Sequence, residues 1–423
     1  MVDFYIIMIF NLGFIIITFI DMTREFIRVP YGQTVHGDEE IQAVVNVLHG
    51  STQMGKNVRE FESKVAQSFD KKYGIMVNSG SSALFIAMDL FNLPEGSEVI
   101  TPALTFGTTA SCIVKNRLVP AFVDCENPTY CIDVNKIEEM ITPKTRAMVI
   151  PDLIGNICKW DEIRKIADKY NLLVLDDSAD TLGGTYLGKP SGYWADICIT
   201  SFYGSHVINA AGNGGMLCVN KEEYYKRGLL LRSWGRSSSV FAENSESIEN
   251  RFNVELDGIS YDAKFIFEEP GYNLEPSEIG AAFGLVQFNK LQDNIDKRVS
   301  WFNKHTNFLK KYEEYFILPE QTPNSRTGWL AYPIIIRDNA PFTRKDLQIF
   351  LEKRNIQTRV VFTGNINRQP GYKNIEKKVS KNGYENADQV MRGGMLLACH
   401  HGLNDEMIAH VHGSIEEFIL KNK

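Results

Sequence analysis

One stretch of the chain carries the residue types needed to move a proton beside an anion. Residues 201–217 read SFYGSHVINAAGNGGML, so an apolar run ends on Ser201, an aromatic step follows, and His206 precedes a run of glycines. An imidazole titrates near pH 6.5, about where proton transfer at neutrality needs it. A second segment, NSGSSAL at 78–84, lies between a strand-like run and a helical run. There a glycine turn lets the backbone close on an anion. The first amides of the helix then point at it, beside the hydroxyls of Ser81 and Ser82. The segment matches neither the GxGxxG fingerprint nor the Walker P-loop. A third, LLVLDDSAD at 172–180, ends a buried run in carboxylates, among them Asp177 and Asp180. At the carboxyl end of a parallel strand such a group meets ligands. It could hold a protonated pyridine nitrogen, a cation costly to bury alone. Taken singly, each segment also has a structural reading: a joining turn, a carboxylate capping the next helix, a hydrogen-bonded core histidine.

The elements that must position these groups alternate. From Val29 onward, short β-branched apolar runs (EVITP, LVPAFV, RAMVIP, LLVLDD, DICITS, GGMLCV) are separated by helical spacings. That pattern predicts an α/β fold whose mostly parallel sheet is covered on both faces. Composition shifts after Gly235. Residues 237–258 are polar and rich in Ser, Asn and Glu, as a loop or lid would be. A single long helical stretch is expected over 276–315, and the last hundred residues or so read as a small α+β unit. The expected division is an apolar N-terminal extension (1–21), a large α/β domain (22–315) and a small α+β domain (316–423).

Composition excludes several classes. The 423 residues are 44% hydrophobic, 23% charged and 11% aromatic, with only 15 prolines, which fits an ordered globular protein. A net charge of -7 leaves no basic surplus for a phosphate backbone, so no nucleic-acid role is expected. The seven cysteines are odd in number and form no CxxC pair, as in reduced thiols of a cytoplasmic protein. Residues 4–20 are almost wholly apolar and approach the length of a membrane span. Asp3 stands where a signal peptide carries positive charge, and no small-residue cleavage site follows. The expectation is translation from Met22 and no membrane contact; the alternative is a signal anchor. His400 and His401 would face opposite sides of a strand, and His410 and His412 fall in the terminal helix, so no metal site is expected.

Taken together, the segments resemble the DegT/DnrJ/EryC1/StrS sugar aminotransferase and dehydratase family of fold-type I pyridoxal-phosphate enzymes. NSGSSAL, TFGTT (105–109), LDDSAD (175–180), SFYGSH (201–206), AAGNGG (210–215) and GYNLEPSEIGAAFG (271–284) occur in order across almost the whole chain. The resemblance implies a large cofactor-binding α/β domain, a small C-terminal domain and a homodimer. It implies that Ser81, Ser82 and Ser201 hold the cofactor phosphate and that Phe106 stacks on the pyridine ring. Asp177 would pair with the ring nitrogen, with Asp180 near the ring hydroxyl. Asn273, otherwise a turn residue, would reach the phosphate of the neighbouring subunit.

The departure is at His206, where the family's aminotransferases carry the lysine that forms the internal Schiff base. No lysine lies between Lys189 and Lys221 to replace it. Histidine marks the family's 3-dehydratase branch, which acts on nucleotide-linked 4-keto-6-deoxysugars using pyridoxamine phosphate, with the histidine as base. Within that branch NPTYCIDV (127–134), LRSWGR (231–236), TRVVFTGNINRQPGY (358–372) and ADQVMRGG (387–394) are similar to the CDP-4-keto-6-deoxyglucose 3-dehydrases. Those enzymes hold a [2Fe–2S] cluster on four cysteines. Here the matching positions are Ala179 and a stretch within residues 237–240, and no cysteine lies between Cys218 and Cys399. The expectation is a cluster-free 3-dehydratase of 3,6-dideoxysugar (lipopolysaccharide O-antigen) biosynthesis, with glutamate regenerating pyridoxamine phosphate from pyridoxal phosphate. Arg236, Arg359, Asn365 and Arg368 are candidate contacts to the nucleotide diphosphate or sugar, each with a surface ion pair as its plainer reading. The competing functions are an amino-sugar aminotransferase, a non-catalytic sugar-nucleotide binding protein, and a membrane-associated form of the enzyme.

Overall fold

The structure, a computed structural model, describes residues 26–240 and 251–422, together with the backbone of two short antiparallel strands, Met8–Asn11 and Phe14–Ile17. The apolar stretch 4–20, the Met22 start and part of the polar segment 237–258 otherwise lie outside the described residues. Among those described, no helix is long and apolar enough to cross a membrane.

The apolar runs form a seven-stranded sheet. Its strands are β1 (Tyr73–Val77), β2 (Glu98–Pro102), β3 (Val119–Val123), β4 (Thr145–Pro151), β5 (Leu173–Asp177), β6 (Ile197–Ser201) and β7 (Gly215–Val219). Their order across the sheet is β1-β7-β6-β5-β4-β2-β3. Most of each strand is buried, as strands covered on both faces must be, which is why the runs lack polar alternation. The expected mostly parallel sheet is present, with one exception. Strand β7 runs antiparallel to both β6 and β1. Because Ser201 pairs with Gly215, the residues between them form the loop that carries His206 at the sheet's carboxyl edge.

Helices cover both faces. α1 (Asp38–Leu48) and α2 (Lys56–Ser68) precede the sheet. α3 (Gly80–Leu90) follows β1, and α4 (Gly107–Lys115) follows β2. The expected single helix over 276–315 is instead two, α5 (Glu278–Asn289) and α6 (Leu291–Leu309). The break falls at Lys290 (φ -97°, ψ 0°), whose ammonium is drawn to Glu39 and Glu40 of α1 at 2.8 and 2.7 Å. Glu278 opens α5 and is buried. Its carboxylate accepts hydrogen bonds from the amides of Gly55, Asn57 and Val58 and from Asn57 Nδ2 at 2.8–3.2 Å, closing the free N-terminus of α2.

The C-terminal residues build a four-stranded antiparallel sheet, β8 (Phe316–Ile317), β9 (Ala331–Ile336), β10 (Arg359–Val360) and β11 (Gly394–Ala398), in the order β8-β9-β11-β10. His400 and His401 lie in the turn beyond β11 rather than on the strand. The segment before α1 returns to this region: Val29 bridges Ile356 and is fully buried. It then passes the His206 loop so closely that a Cβ on Gly32 would sit 2.7 Å from that of Ser205. Residues 361–372 are fastened to the loop between β2 and α4. Ile366 N donates to Ala103 O at 2.9 Å, Thr363 Oγ1 to Thr105 O at 2.7 Å, and Tyr372 Oη to Gly107 O at 2.7 Å.

Replacing Glu278 by alanine strands four donors at the start of α2. Urea unfolding of E278A should show a stability loss of roughly 3 kcal/mol, read as a lower midpoint at unchanged slope.

Candidate functional site

The carboxyl edge of the large sheet opens into a cleft of about 370 Å³, walled by the ends of β1, β4, β5 and β6 and closed by Tyr31, Leu330 and Phe362. Six of the residues singled out in the sequence line it: Ser81, Phe106, Asp177, Asp180, Ser201 and His206. Each is put there by a nearby element. Ser79 caps α3, its hydroxyl accepting from Ser82 N at 3.1 Å, so the helix begins at Gly80 and turns its N-terminus to the cleft. Two glycines permit the approach. A Cβ on Gly80 would lie 2.8 Å from the Ser201 Cβ, and one on Gly215 would lie 2.3 Å from Ser79 backbone atoms. Ser201 and Ser81 therefore share one small hollow with the helix N-terminus.

Helix α4 does two tasks. Phe106 is its N-cap residue and stands 52% exposed, its ring meeting Phe362 edge-on at 5.8 Å. One turn on, Thr109 Oγ1 donates to Asp177 Oδ2 at 2.8 Å. Asp177 is buried, and burial pushes its carboxyl up to about 6, against the Thr109 hydrogen bond.

Asp180 is half-buried. Burial, and next the charge of Asp177, push it up to about 7. It accepts from Ile154 N at 3.1 Å. Ile154 has φ +61°, a left-handed conformation that a β-branched side chain resists. It is held there because its amide meets Asp180 and its carbonyl accepts from Leu330 N at 2.8 Å.

His206 Nδ1 lies 3.1 Å from the carbonyl oxygen of Ser201. A carbonyl can only accept, so Nδ1 carries the proton and Nε2 presents a lone pair. Nε2 lies 3.6 Å from Asp180 Oδ1. Burial, and to a lesser degree the charge of Arg298, lower the imidazole to about 4, so it is neutral at pH 7. The arrangement is a neutral base with a carboxyl group waiting beside it.

The other candidates are placed elsewhere. Ser82 is buried and donates its hydroxyl to Asn78 Oδ1 at 2.6 Å rather than lining the cleft. Asn273 is exposed, one residue from Leu274, whose carbonyl accepts from Asn78 N. Arg236 lies face-on to Trp234 at 4.2 Å. Arg359 is exposed behind the cleft residue Tyr31, 5.3 Å from its ring. Asn365 is buried and donates to Asp388 at 2.8 Å, and Arg368 pairs with the same carboxylate at 2.6 Å. Reading the sequence missed Tyr31, Ile154, Phe362 and Arg298. Phe362 stands within the TRVVFTGNINRQPGY stretch that had drawn notice, but an isolated Tyr, Ile or Arg gave no motif.

Pyridoxal or pyridoxamine phosphate fits these residues. The N-terminus of α3, with Ser81 and Ser201 beside it on the cleft wall, suits a phosphate. The buried Asp177 lacks a cationic partner among the described residues and suits a ring N–H⁺. The exposed face of Phe106 suits a stacked ring. No group of three His, Cys, Asp or Glu side chains that could hold a metal occurs among the described residues.

The chain is similar to several known proteins. The chain is 33% identical to the lipopolysaccharide biosynthesis protein RfbH of Salmonella typhimurium, covering 92% of this chain and 91% of that one. It is 34% identical to the dTDP-4-dehydro-2,6-dideoxy-D-glucose 3-dehydratase of Saccharopolyspora spinosa, over 93% and 87% of the two. Its fold superposes on the E. coli GDP-4-keto-6-deoxy-D-mannose-3-dehydratase with bound hydrated PLP, with a TM-score of 0.83, 27% identity, and coverage of 92% and 99%. The model of the DegT/DnrJ/EryC1/StrS aminotransferase family matches residues 35–416, and the chain belongs to that family.

Proposed function

We propose that the protein is a pyridoxamine/pyridoxal phosphate-dependent dehydratase that removes the C3 hydroxyl of a nucleotide-linked 4-keto-6-deoxyhexose, in the making of a 3,6-dideoxysugar for surface polysaccharide. The observation that carries this is His206: an imidazole, not a lysine, lines the cleft, with its Nδ1 on the Ser201 carbonyl and its Nε2 3.6 Å from Asp180. The named activities of two similar proteins, both 3-dehydratases of nucleotide sugars, support the substrate class.

When bound, the cofactor supplies an amine for the sugar ketone and a ring that disperses the charge left by proton removal. The chain's own residues do the rest. Ser81, Ser201 and the N-terminus of α3 hold the phosphate, with Ser82 bracing the turn through Asn78. Asp177 keeps the ring nitrogen protonated, and Phe106 covers one ring face. His206 Nε2 takes up the proton, and Asp180 at 3.6 Å stabilises the imidazolium that results. Asn365 and Arg368 act at one remove: through Asp388 they hold the segment that fastens the Phe106 loop.

The cleft-lining residues include no lysine or arginine, whereas its ligands carry several phosphate charges. A second copy of the chain is the proposed source of the missing contacts. Arg236 and Asn273 lie on adjoining stretches, bridged Ser233 to Asn273 and Arg236 to Phe267. Beside them Phe252, Ile259, Phe265 and Phe267 are more than half exposed, the surface a homodimer would cover. Arg359, behind Tyr31, is the proposed diphosphate contact within the same chain. Glutamate is the proposed amine donor. No iron–sulfur cluster is proposed, because Ala179 and residues 237–240 offer no thiolate.

Purified protein with pyridoxamine phosphate should absorb near about 330 nm, and pyridoxal phosphate plus glutamate should convert to the same form. Stoichiometric iron and labile sulfide would overturn the cluster-free reading, and a lasting covalent aldehyde-form band would favour the aminotransferase. H206N should lose at least about 100-fold in turnover while cofactor affinity changes less than about threefold. The neutral imidazole is the active form and burial lowers its pKa to about 4, so the acid limb of kcat/KM should lie below the pH 6.5 of a free histidine. D177N should weaken cofactor binding by about 3 kcal/mol, roughly 100-fold in Kd by titration.

A further inference from the structure

Arg298 is fully buried, yet no carboxylate among the described residues pairs with it. Its five N–H groups are all used. Nη2 donates to the carbonyls of Ser205 and His206, both at 2.9 Å. Nη1 donates to the carbonyls of Trp329 and Leu330 at 3.1 and 3.2 Å, and Nε donates to His401 Nδ1 at 3.3 Å. A guanidinium is a rigid fork, so donors aimed at four carbonyls fix the distance between the two backbones that carry them. One backbone is that of the His206 loop. The other enters β9 and supplies Leu330, whose amide holds Ile154 and through it Asp180. Asn294, one turn before Arg298 on α6, grips the same loop by donating to Val207 O at 3.0 Å.

We propose that Arg298 is the positioning residue of the His206 base: it locks the main chain of Ser205 and His206 against that of Trp329 and Leu330, and so sets where Nε2 stands relative to Asp180. Arg298 is fully buried and is not among the residues that line the cleft. Its uncompensated charge has a second consequence, since a buried cation beside His206 opposes a proton on the imidazole. The groups facing Arg298 from the packed elements are Asp180, Tyr31, Cys399, His400 and His401, so only Asp180 and the thiol and phenol in their ionised forms would offset it; His206 itself faces Asp180 and Tyr203.

The inference rests on His206 as base, and its test can be read without turnover. In cofactor-free protein with isotope-labelled histidine, the His206 titration is followed by NMR for wild type, R298K and R298M. Lysine keeps the charge and loses the fork; methionine loses both. R298M should titrate His206 at least tenfold more readily, with a midpoint higher by about one unit or more, while R298K stays near wild type. In the loaded enzyme both variants should lose about 100-fold in kcat with KM within about threefold, because a base displaced by about 1 Å fails in the transition state rather than in binding. If R298M does not fold, R298K alone decides through kcat. A folded R298K with wild-type kcat, or a folded R298M with unchanged His206 titration and kcat, overturns the proposal. If H206N keeps full activity while R298M still moves the titration, the base reading fails and the positioning of the ring stands.

Discussion

The backbone at Ser79–Gly80 lies so close to Ser201 and Gly215 that a single methyl group at either glycine would separate them. The rest of the site follows from that contact. It forces β7 to run back beside β6, because Gly215 must arrive at the edge that Ser201 has just left. The chain between them has no choice but to bulge over the carboxyl edge, and His206 is in that bulge. It also places the N-terminus of α3 opposite a hydroxyl, where an anion is favoured by dipole and amides together. A glycine here therefore serves topology and chemistry at once.

The electrostatics of the cleft are lopsided. Asp152, Asp177 and Asp180 border it, and burial raises all of them, to about 8, about 6 and about 7. Asp152 is spoken for, accepting from Cys158 N, Trp160 Nε1 and Thr181 Oγ1. Asp177 meets the Thr109 hydroxyl and the Ala179 amide, Asp180 meets the Ile154 amide, and neither has a Lys or Arg partner among the described residues. The nearest buried positive charge, Arg298, faces carbonyls instead. A site so built has a high affinity for protons in the absence of a cationic guest and a base that stays neutral, which is the reverse of an ordinary aspartate–histidine ion pair.

Much of this was legible in the residues. The strand runs, the glycine turn at 78–84 and the carboxylates at 177 and 180 follow local rules of period and turn chemistry, and they lead to one cleft. The reversed strand β7 was not legible, because an apolar run does not record its direction. The break at Lys290 was missed for a similar reason: the helical period continues through it, and only the distant pair Glu39 and Glu40 on α1 shows where the ammonium goes. Asn365 and Arg368 drew attention as polar residues near a motif, and what they meet is Asp388, twenty or more positions on. Arg298 carried no local signal at all. Its meaning lies in carbonyls from Ser205, His206, Trp329 and Leu330, which only the folded chain brings together.

A histidine at 206 also changes what retention of a cofactor must rest on. A lysine can tether the aldehyde form covalently; an imidazole cannot. On the proposed reading, the hold in this chain would come from the N-terminus of α3 with Ser81 and Ser201, from Asp177, and from the open face of Phe106. That accounts for the effort the structure spends on Phe106. Its loop is fastened from the far C-terminal segment by Ile366, Thr363 and Tyr372, and its ring is met by Phe362, itself in a left-handed conformation at φ +42°. A non-covalent guest that must leave and return in two chemical forms needs walls that are already in place, since ordering them at each exchange would cost binding energy. On the proposed reading, the same substitution that removes the tether makes the base, and the rigidity around Phe106 and His206 is what lets one residue serve in place of the other.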